Sequence, residues 1–393
     1  MAIPDDVAFT ILSKLPLKSL KRFTLVHKSW ADLLEIPYFM TMLCSKLVSK
    51  HQSYYDDTSL LLLKQKLDGT QCHGTLYSLS GDKLEKTLKS DWLPYQEHGR
   101  FHSVSGSGIH GILCLHEAPD REFVLWNPAT QEFIATPPSP RESLPDLEAY
   151  SKITTHGFGY DHVTDDFKIV RLITYYPDND NDNDNDDDDD RQDEDGDEPM
   201  IPEPLWEIYS LKSNYWRKLD VDMPIITGDG AGMGCDIYMN GVCHWVGYNL
   251  SKDYGFDTHL VSFNFSKEIF YTTPLPLDDR KVQNYLAVLN ESIALISKHE
   301  ETTTLDIWIL GELRVKESWT KLFTVGLGPL HGFGVPIGVG KTGDIFFRNK
   351  NGELGLFDLR TQMLKEIAAT ELVDHDQIIF YKESFFPIGR TGY

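Results

Sequence analysis

A strand–turn–strand pattern recurs along most of this 393-residue chain and limits its possible folds more than any other feature. Each unit begins with an aromatic residue, continues through polar turn residues and ends with a bulky apolar residue, usually seven positions later. Apolar runs bounded by turn residues are typical of β-hairpins. The six units, of which the fifth needs a turn four residues longer, are Tyr77–Leu84, Trp126–Phe133, Tyr209–Trp216, Phe263–Phe270, Trp308–Trp319 and Phe357–Leu364.

The spacing of these units favours radial repetition. Their first aromatic residues lie 49, 83, 54, 45 and 49 residues apart, and the long step contains an acidic insertion of 21 residues. A period near 50 with one hairpin per unit is typical of kelch-type propeller blades. A β-sandwich also contains aromatic hairpins, but it has no reason to keep one spacing six times. We therefore predict a kelch-like β-propeller of about six to seven blades.

Apolar segments also recur before the hairpins, and we predict that they are the inner strands of the blades. Each is short and rich in β-branched or aromatic residues, as strands are. The five segments are Gly111–Leu115, Phe167–Ile173, Gly241–Val246, Ser292–Ser297 and Gly343–Phe347.

The first 45 residues differ from everything behind them. Pro4, followed by Asp5 and Asp6, has the fixed φ angle and the charge that suit the start of a helix. Apolar residues at helical spacing then form three short stripes, interrupted at Pro16 and ending near Pro37. Three helices in so short a segment bury too little apolar surface to be stable alone. Their remaining apolar face must be covered by another protein or by the second domain.

The same residues resemble the F-box family. The resemblance rests on Ile3-Pro4, on ILSKLPLKSL at Ile11–Leu20 and on VHKSW at Val26–Trp30. His27 departs from the pattern, because plant members often have Cys there. The resemblance implies a three-helix F-box that binds the Skp adaptor of a cullin-based ubiquitin ligase. The residues that it implies for adaptor binding are Ile3, Pro4, Ile11, Leu12, Leu15, Pro16, Leu17, Leu20, Val26, Lys28 and Trp30.

The β-rich region resembles the F-box-associated domain of plant F-box proteins, of the kelch-like, S-locus F-box type. This resemblance rests on WNPAT at Trp126–Thr130 and GFGYD at Gly157–Asp161, which occur in order behind the F-box pattern. It implies a multidomain chain, α then all-β. We expect an F-box at residues 1–45, a linker at 46–57 and a propeller at 58–388, with a disordered acidic loop at 177–200.

The charge of the chain is concentrated in that loop. The formal net charge is −23, and Asp178–Glu198 alone contains fourteen acidic residues and one Arg. Dense like charge favours disorder. An EF-hand register fails, because it places Arg191 at the first ligand position and Pro202 where a bidentate Glu belongs. An acidic chain without a basic stripe is not typical of nucleic-acid binding. Lys14, Lys18 and Lys28 are open to two interpretations, a solvated helix face or a contact with an acidic partner.

The sequence contains no pattern that indicates catalysis, a cofactor or a metal site. The five cysteines form no C-x-x-C pair, which favours reduced thiols in the cytoplasm or nucleus. No run of residues indicates a secretion signal or a membrane span. Cys243 and His244 are adjacent on a predicted strand and therefore point to opposite faces. We expect Cys243 to be buried and His244 to be half-exposed.

The expected function is that of a non-catalytic receptor subunit of a Skp-cullin-F-box ubiquitin ligase. In this hypothesis the F-box binds the Skp adaptor, and cullin through it, while propeller loops bind a protein substrate for ubiquitination. The candidate loops are Asn249–Thr258 and Gly326–Phe333, although the sequence does not say whether they share a face. The main alternative is a ligand- or glycan-binding propeller that uses its head only for docking.

Overall fold

The fold is taken from a computed structural model of the chain. It describes Val7, Ile11 and residues 59–68, 71–80, 85–90, 94, 102–104, 108–117, 123–140, 149–177, 202–221, 237–250, 256–277, 282–289, 292–299, 304–326, 333–339, 345–349, 352–358, 363–366 and 376–388. Within these residues, the strands form six antiparallel sheets of four strands each, which we call blades 1 to 6. The described part also includes one short 3-10 helix, Lys316–Ser318.

Blades 1 to 3 are continuous in sequence. Blade 1 contains β4 (His102–Val104), β5 (Leu113–Glu117), β6 (Phe123–Asn127) and β7 (Glu132–Ala135). Blade 2 contains β8 (Ala149–Asp161), β9 (Asp166–Pro177), β10 (Leu205–Ser210) and β11 (Tyr215–Lys218). Blade 3 contains β12 (Ile237–Met239), β13 (Val242–Leu250), β14 (Phe256–Asn264) and β15 (Ile269–Pro274).

Blade 6 differs from the others because it combines both ends of the described chain. Blade 4 contains β16 (Val282–Leu289), β17 (Ser292–His299), β18 (Thr304–Leu310) and β19 (Trp319–Gly326). Blade 5 contains β20 (Phe333–Val339), β21 (Ile345–Asn349), β22 (Leu354–Asp358) and β23 (Met363–Glu366). Blade 6 contains β24 (Gln377–Tyr381), β1 (Ser59–Asp68), β2 (Gln71–Ser80) and β3 (Glu85–Ser90).

The six blades form a closed ring. First strands of neighbouring blades lie side by side, β12 against β16, β16 against β20, β20 against β24 and β24 against β4. Strand β8 of blade 2 lies against β13 of blade 3. The ring of Phe123 in blade 1 is 5.0 Å from that of His156 in blade 2, which completes the circle. The fold is therefore a six-bladed β-propeller, at the lower end of the predicted range.

The aromatic repeat corresponds to the outer hairpin of every blade. In four units the two ends of the pattern pair directly across the hairpin, as Trp126 does with Phe133. Large cross-strand pairs of this kind stabilise a hairpin. In the other two units the strands continue further toward the turn, to Ser80 and Glu85 in the first unit and to Leu310 and Trp319 in the fifth, so the two ends of the pattern do not pair. Tyr77 pairs with Leu88 instead of Leu84, and Trp308 pairs with Lys321.

The predicted inner strands are second in their sheets, so that assignment was wrong by one position. They are β5, β9, β13, β17 and β21, and the first strands β4, β8, β12, β16 and β20 lie inside them. A strand covered on both faces by neighbouring blades becomes almost uniformly apolar. All five residues of β6 and the run Ile293–Ile296 of β17 are buried for this reason. The first strands have a weaker apolar pattern and were therefore not predicted from the sequence.

The predicted three-helix F-box lies outside the described residues, apart from Val7 and Ile11. Both of these residues are helical, and both are exposed, at 44% and 45%. They are four positions apart, so they lie on one side of a helix. The predicted linker at 46–57 and the predicted acidic loop at 177–200 also lie outside the described part, except for Pro177 at the end of β9.

Candidate functional site: the two faces of the propeller

The alternation of strands gives the propeller two different faces. Because all pairs are antiparallel, connections between first and second strands and between third and fourth strands lie on one face. We call this the turn face. Connections between second and third strands, and from each blade to the next, lie on the opposite face, which we call the loop face.

The turn face is built from short, closely related turns. In four of them the last turn residue has a positive φ angle: Gln131 (63°), Asp165 (58°), Asn214 (50°) and Glu268 (54°). In three of these turns, a side-chain oxygen at the start accepts a hydrogen bond from an N–H two residues further on. Asn and Asp side chains favour such turns because they mimic a backbone acceptor. Four of the repeated polar turns therefore share a positive φ angle at their last residue, and three of these also share a side-chain acceptor at their start.

A buried network of charges joins blades 2 and 3 at the turn face. Lys168 Nζ lies 2.8 Å from Asp161 Oδ2 and 3.0 Å from Glu268 Oε1. The hydroxyl groups of Ser266 and Thr164 also donate to Asp161. Burial acts to raise the pKa of Asp161, but the hydrogen bonds from Lys168, Ser266 and Thr164 outweigh it, so the pKa lies well below its usual range. Asp161 is therefore an ionised structural residue.

The glycines of the GFGYD segment allow blade 3 to approach blade 2. A Cβ atom at Gly159 would lie 1.9 Å from Cε2 of Phe265, and one at Gly157 would lie 2.6 Å from Sγ of Cys243. No side chain larger than hydrogen fits at these separations without movement of the neighbour. The motif that carried the family resemblance is a contact between blades.

Replacing Gly159 by Ala is expected to lower the free energy of unfolding by about 2–3 kcal/mol, since the new methyl group overpacks the Phe265 ring. Gly311→Ala is the control, because its nearest neighbour would be 3.3 Å away, and it should cost less than about 0.5 kcal/mol. Urea denaturation measures both. The double variant Gly159→Ala with Phe265→Leu should lose less than the sum of the single changes. Strict additivity would contradict the proposed contact.

Strands β9 and β10, which flank the acidic run, are held by a buried ion pair that sequence reasoning missed. Arg171 Nη2 lies 3.0 Å from Glu207 Oε2, and both side chains are almost fully buried. The guanidinium group stacks on Trp216 at 3.8 Å. Ser139 Oγ donates to Glu207 at 2.6 Å, and Trp216 Nε1 donates to Pro137 O at 2.9 Å. Arg171 lies in Phe167–Ile173, which was interpreted only as an apolar strand, so the signal was the presence of two basic residues, Lys168 and Arg171, inside that run.

The predicted substrate loops and the acidic run all connect at the loop face. Asn249–Thr258 joins the second and third strands of blade 3, and its ends extend into β13 and β14. Gly326–Phe333 joins blade 4 to blade 5, and Asp178–Glu198 falls between the second and third strands of blade 2. The strands that flank them are described, whereas most of the loop residues lie outside the described part. Strand parity therefore assigns all three connections to one face.

The first described strand of the propeller begins at the opposite face, the turn face. Strand β1 begins at Ser59, which pairs with Tyr381 at the end of β24. Ser59 Oγ donates to the carbonyl oxygen of Tyr381 at 3.2 Å. The first residue of β1 is thus at the turn face, and Asp68 is at the loop face. Of the predicted adaptor-binding residues, only Ile11 is described, so the set as a whole remains a prediction.

The adjacent Cys243 and His244 do not form an accessible catalytic pair. Cys243 is buried as expected, but His244 is also buried, which corrects the expectation of half-exposure. Its Nδ1 atom lies 2.8 Å from Ser262 Oγ, and burial lowers the pKa of His244 to about 3. Across the described ranges, no three His, Cys, Asp or Glu side chains are grouped so that they could hold a metal ion. In the same ranges, no helix has the length and apolar character needed to span a membrane.

A six-bladed ring that follows a distinct N-terminal segment in the sequence defines a two-part protein with a propeller as its larger part. Residues 79–383 match the family described as the F-box associated beta propeller domain, and residues 2–42 match the F-box domain. The chain therefore belongs to the F-box proteins with an F-box-associated propeller domain.

Relatives in Arabidopsis thaliana agree with this assignment to the plant type. The F-box protein CPR1 is 26% identical over 340 residues, which cover 82% of this chain and 73% of that protein. An F-box/kelch-repeat protein is 26% identical over 335 residues, covering 82% of this chain and 79% of its own length.

Solved structures resemble the chain only weakly. A chain of a nidogen/laminin complex is 11% identical with a TM-score of 0.39, covering 83% of this chain and 99% of that chain. The Dos1 propeller is 12% identical with a TM-score of 0.35, covering 80% and 77%. These similarities are too low to support any statement about function.

Proposed function

We propose that this chain is the substrate-recognition subunit of a Skp-cullin-F-box ubiquitin ligase. The observation that supports this most directly is that the propeller begins at the turn face, whereas the candidate loops connect strands at the loop face. A head bound to the ligase scaffold at the turn face leaves the loop face free. A protein held there would meet a charged ubiquitin-conjugating enzyme at high local concentration. In this proposal the chain positions the substrate protein, and its partners catalyse the transfer of ubiquitin.

The proposed adaptor-binding surface is the apolar face of the F-box. It consists of the residues predicted from the F-box pattern, among which Leu15 and Trp30 are the large apolar side chains most suited to an interface centre. Lys14, Lys18 and Lys28 would accelerate encounter with an acidic adaptor more than they would strengthen the complex. Cullin would be bound only through the adaptor.

The proposed substrate site is the loop face. Binding residues are commonly carried by loops on a rigid scaffold, and Asn249–Thr258 and Gly326–Phe333 meet that description here. We propose that the protein works in the cytoplasm or nucleus, because the five cysteines of the sequence form no C-x-x-C pair and indicate no disulfide framework.

A pull-down with a plant Skp adaptor tests the proposal. The wild-type chain should retain the adaptor, and the double variant Leu15→Asp with Trp30→Ala should lose it. Leu88→Asp is the matched control, because Leu88 is an exposed apolar residue of blade 6 and its change should leave adaptor binding intact. Failure of the wild-type chain to bind the adaptor would overturn the receptor function.

A further inference from the structure

The chain does not end where the ring closes. Behind β24, residues Lys382–Ile388 leave blade 6 and cross the turn face onto blades 1 and 2. We call this segment the C-terminal strap. At its start, Glu383 forms an ion pair with Lys89 of β3. At its end, Ile388 is buried in the core cluster shared by blades 1, 2 and 3.

Asn127 binds the backbone of the strap. Its Nδ2 atom donates to the carbonyl oxygen of Ser384 at 2.9 Å and to that of Phe386 at 3.2 Å. Its Oδ1 atom accepts from the N–H of Ala129 at 2.9 Å, so the turn that follows holds the amide in place. Asn127 is fully buried. A buried amide that donates to two carbonyls of an extended segment is a means of peptide recognition, since it does not depend on the side chains of that segment.

Two further features form the site in which the strap lies, which we call the seat. Gly111 has a φ angle of 80°, and a Cβ atom there would lie 2.5 Å from Cβ of Ser384, so a side chain would obstruct the strap. The Phe386 ring packs at 5.1 Å from Phe167, at 6.3 Å from Tyr160 and at 6.4 Å from His110. The seat therefore combines a backbone contact, a narrow passage and an aromatic pocket.

We propose that this seat is a peptide-binding groove occupied by the chain's own C-terminal strap, which acts as a releasable latch across blades 6, 1 and 2. The strap lies beyond the last strand, so it can leave without breaking a strand pairing. Between blades 6 and 1, the described part of the chain also has hydrogen bonds from Gly108 N to Phe380 O and from Val104 N to Gln377 Oε1, both 2.8 Å. Release of the strap would leave fewer contacts between blades 6 and 1.

Native-state hydrogen exchange on the full-length wild-type chain tests whether the strap opens independently. The N–H of Phe386, which donates to Ser384 Oγ, should exchange at least tenfold faster than the N–H of Ile379 in β24. Equal rates limited by global unfolding would overturn the latch. Dimers that exchange straps between copies, seen by size-exclusion chromatography, would also overturn the proposal that the strap binds within its own chain.

A labelled peptide of residues 382–388 tests the groove. The wild-type chain should not bind it, because the tethered strap competes at a high effective concentration. The full-length variant Phe386→Ala should bind it saturably and gain thermal stability. Adding Asn127→Asp should abolish binding, since this change keeps the acceptor for Ala129 but turns a donor into an acceptor facing two carbonyls.

The peptide carrying Phe386→Ala is the matched control and should bind at least tenfold more weakly. A folded Phe386→Ala chain that does not bind the wild-type peptide would show that the seat is not a separable groove. If that variant does not fold, the exchange rates of the wild-type chain still decide whether the strap is a latch.

Discussion

Replacing Glu207 by Gln should lower the free energy of unfolding by about 3–5 kcal/mol, because it leaves the buried guanidinium of Arg171 without its anion. The amide retains the shape of the side chain, so the loss reports charge more than packing. Stacking of Arg171 on Trp216 fixes the cation in place and prevents it from reaching water. Urea denaturation at pH 7 measures the change.

Glu203→Gln provides the control for this prediction. Glu203 lies four residues earlier and is exposed, so its change should alter stability by less than about 0.5 kcal/mol. Replacing both partners, with Arg171→Met and Glu207→Gln, should recover a large part of the loss, since no unpaired buried charge remains. A single Glu207→Gln variant as stable as the wild type would contradict the role assigned to this pair.

Acidification from pH 7 to pH 5 should destabilise the propeller by about 2 kcal/mol through His244, and further through His156. Burial is the main cause that lowers the pKa of both, to about 3 for His244, and Arg171 and His116 lower the pKa of His156 further. Below the ordinary histidine pKa of 6.5, the unfolded chain binds protons that the folded chain excludes. Stability therefore falls as the pH falls.

Urea midpoints at pH 7 and pH 5 measure this effect, and His244→Asn separates one contribution. The amide can still bond to Ser262, but it does not titrate, so the variant should lose about 2 kcal/mol less than the wild type over the same interval. Asp161 does not contribute to this change, because its lowered pKa affects stability only below the ordinary carboxyl range. Equal loss in the variant and the wild type would contradict the assignment.

The outer hairpins could be predicted from sequence because their determinants are local. Trp126 and Phe133 face each other across a four-residue turn, so a fixed spacing of seven records the pairing directly. The spacing does not record the partners of Tyr77 and Trp308, because their strands continue to Ser80 and Leu310 before the turn and the partners lie four and two positions further on. How far a strand continues before its turn depends on the surrounding sheet and is not visible in the spacing.

The ring closure and the blade contacts could not be predicted in this way. Pairing of Leu63 with Gln377 joins residues at the two ends of the propeller, and no short pattern records it. Gly157 and Gly159 were recognised as part of a motif, but their role depends on Cys243 and Phe265 of another blade.

In contrast, it could have been predicted from the sequence that the candidate loops share one face. It follows from strand parity once four strands per blade are counted. The sequence indicated only three strands in each unit, because first strands such as β4 and β12 are only three residues long.

Closure by β24 also gives the protein an order of assembly during translation. Ser59 and its partner Tyr381 are 322 residues apart, so at roughly 5–20 residues per second the ribosome takes about 16–64 s to supply the second after the first. Throughout that interval β1 has an unpaired edge, whereas the head has already emerged. The proposed adaptor can therefore reach a nascent chain before its ring is complete, and a product shortened by a premature stop codon before Gln377 would keep the head but lack the strand that closes the propeller.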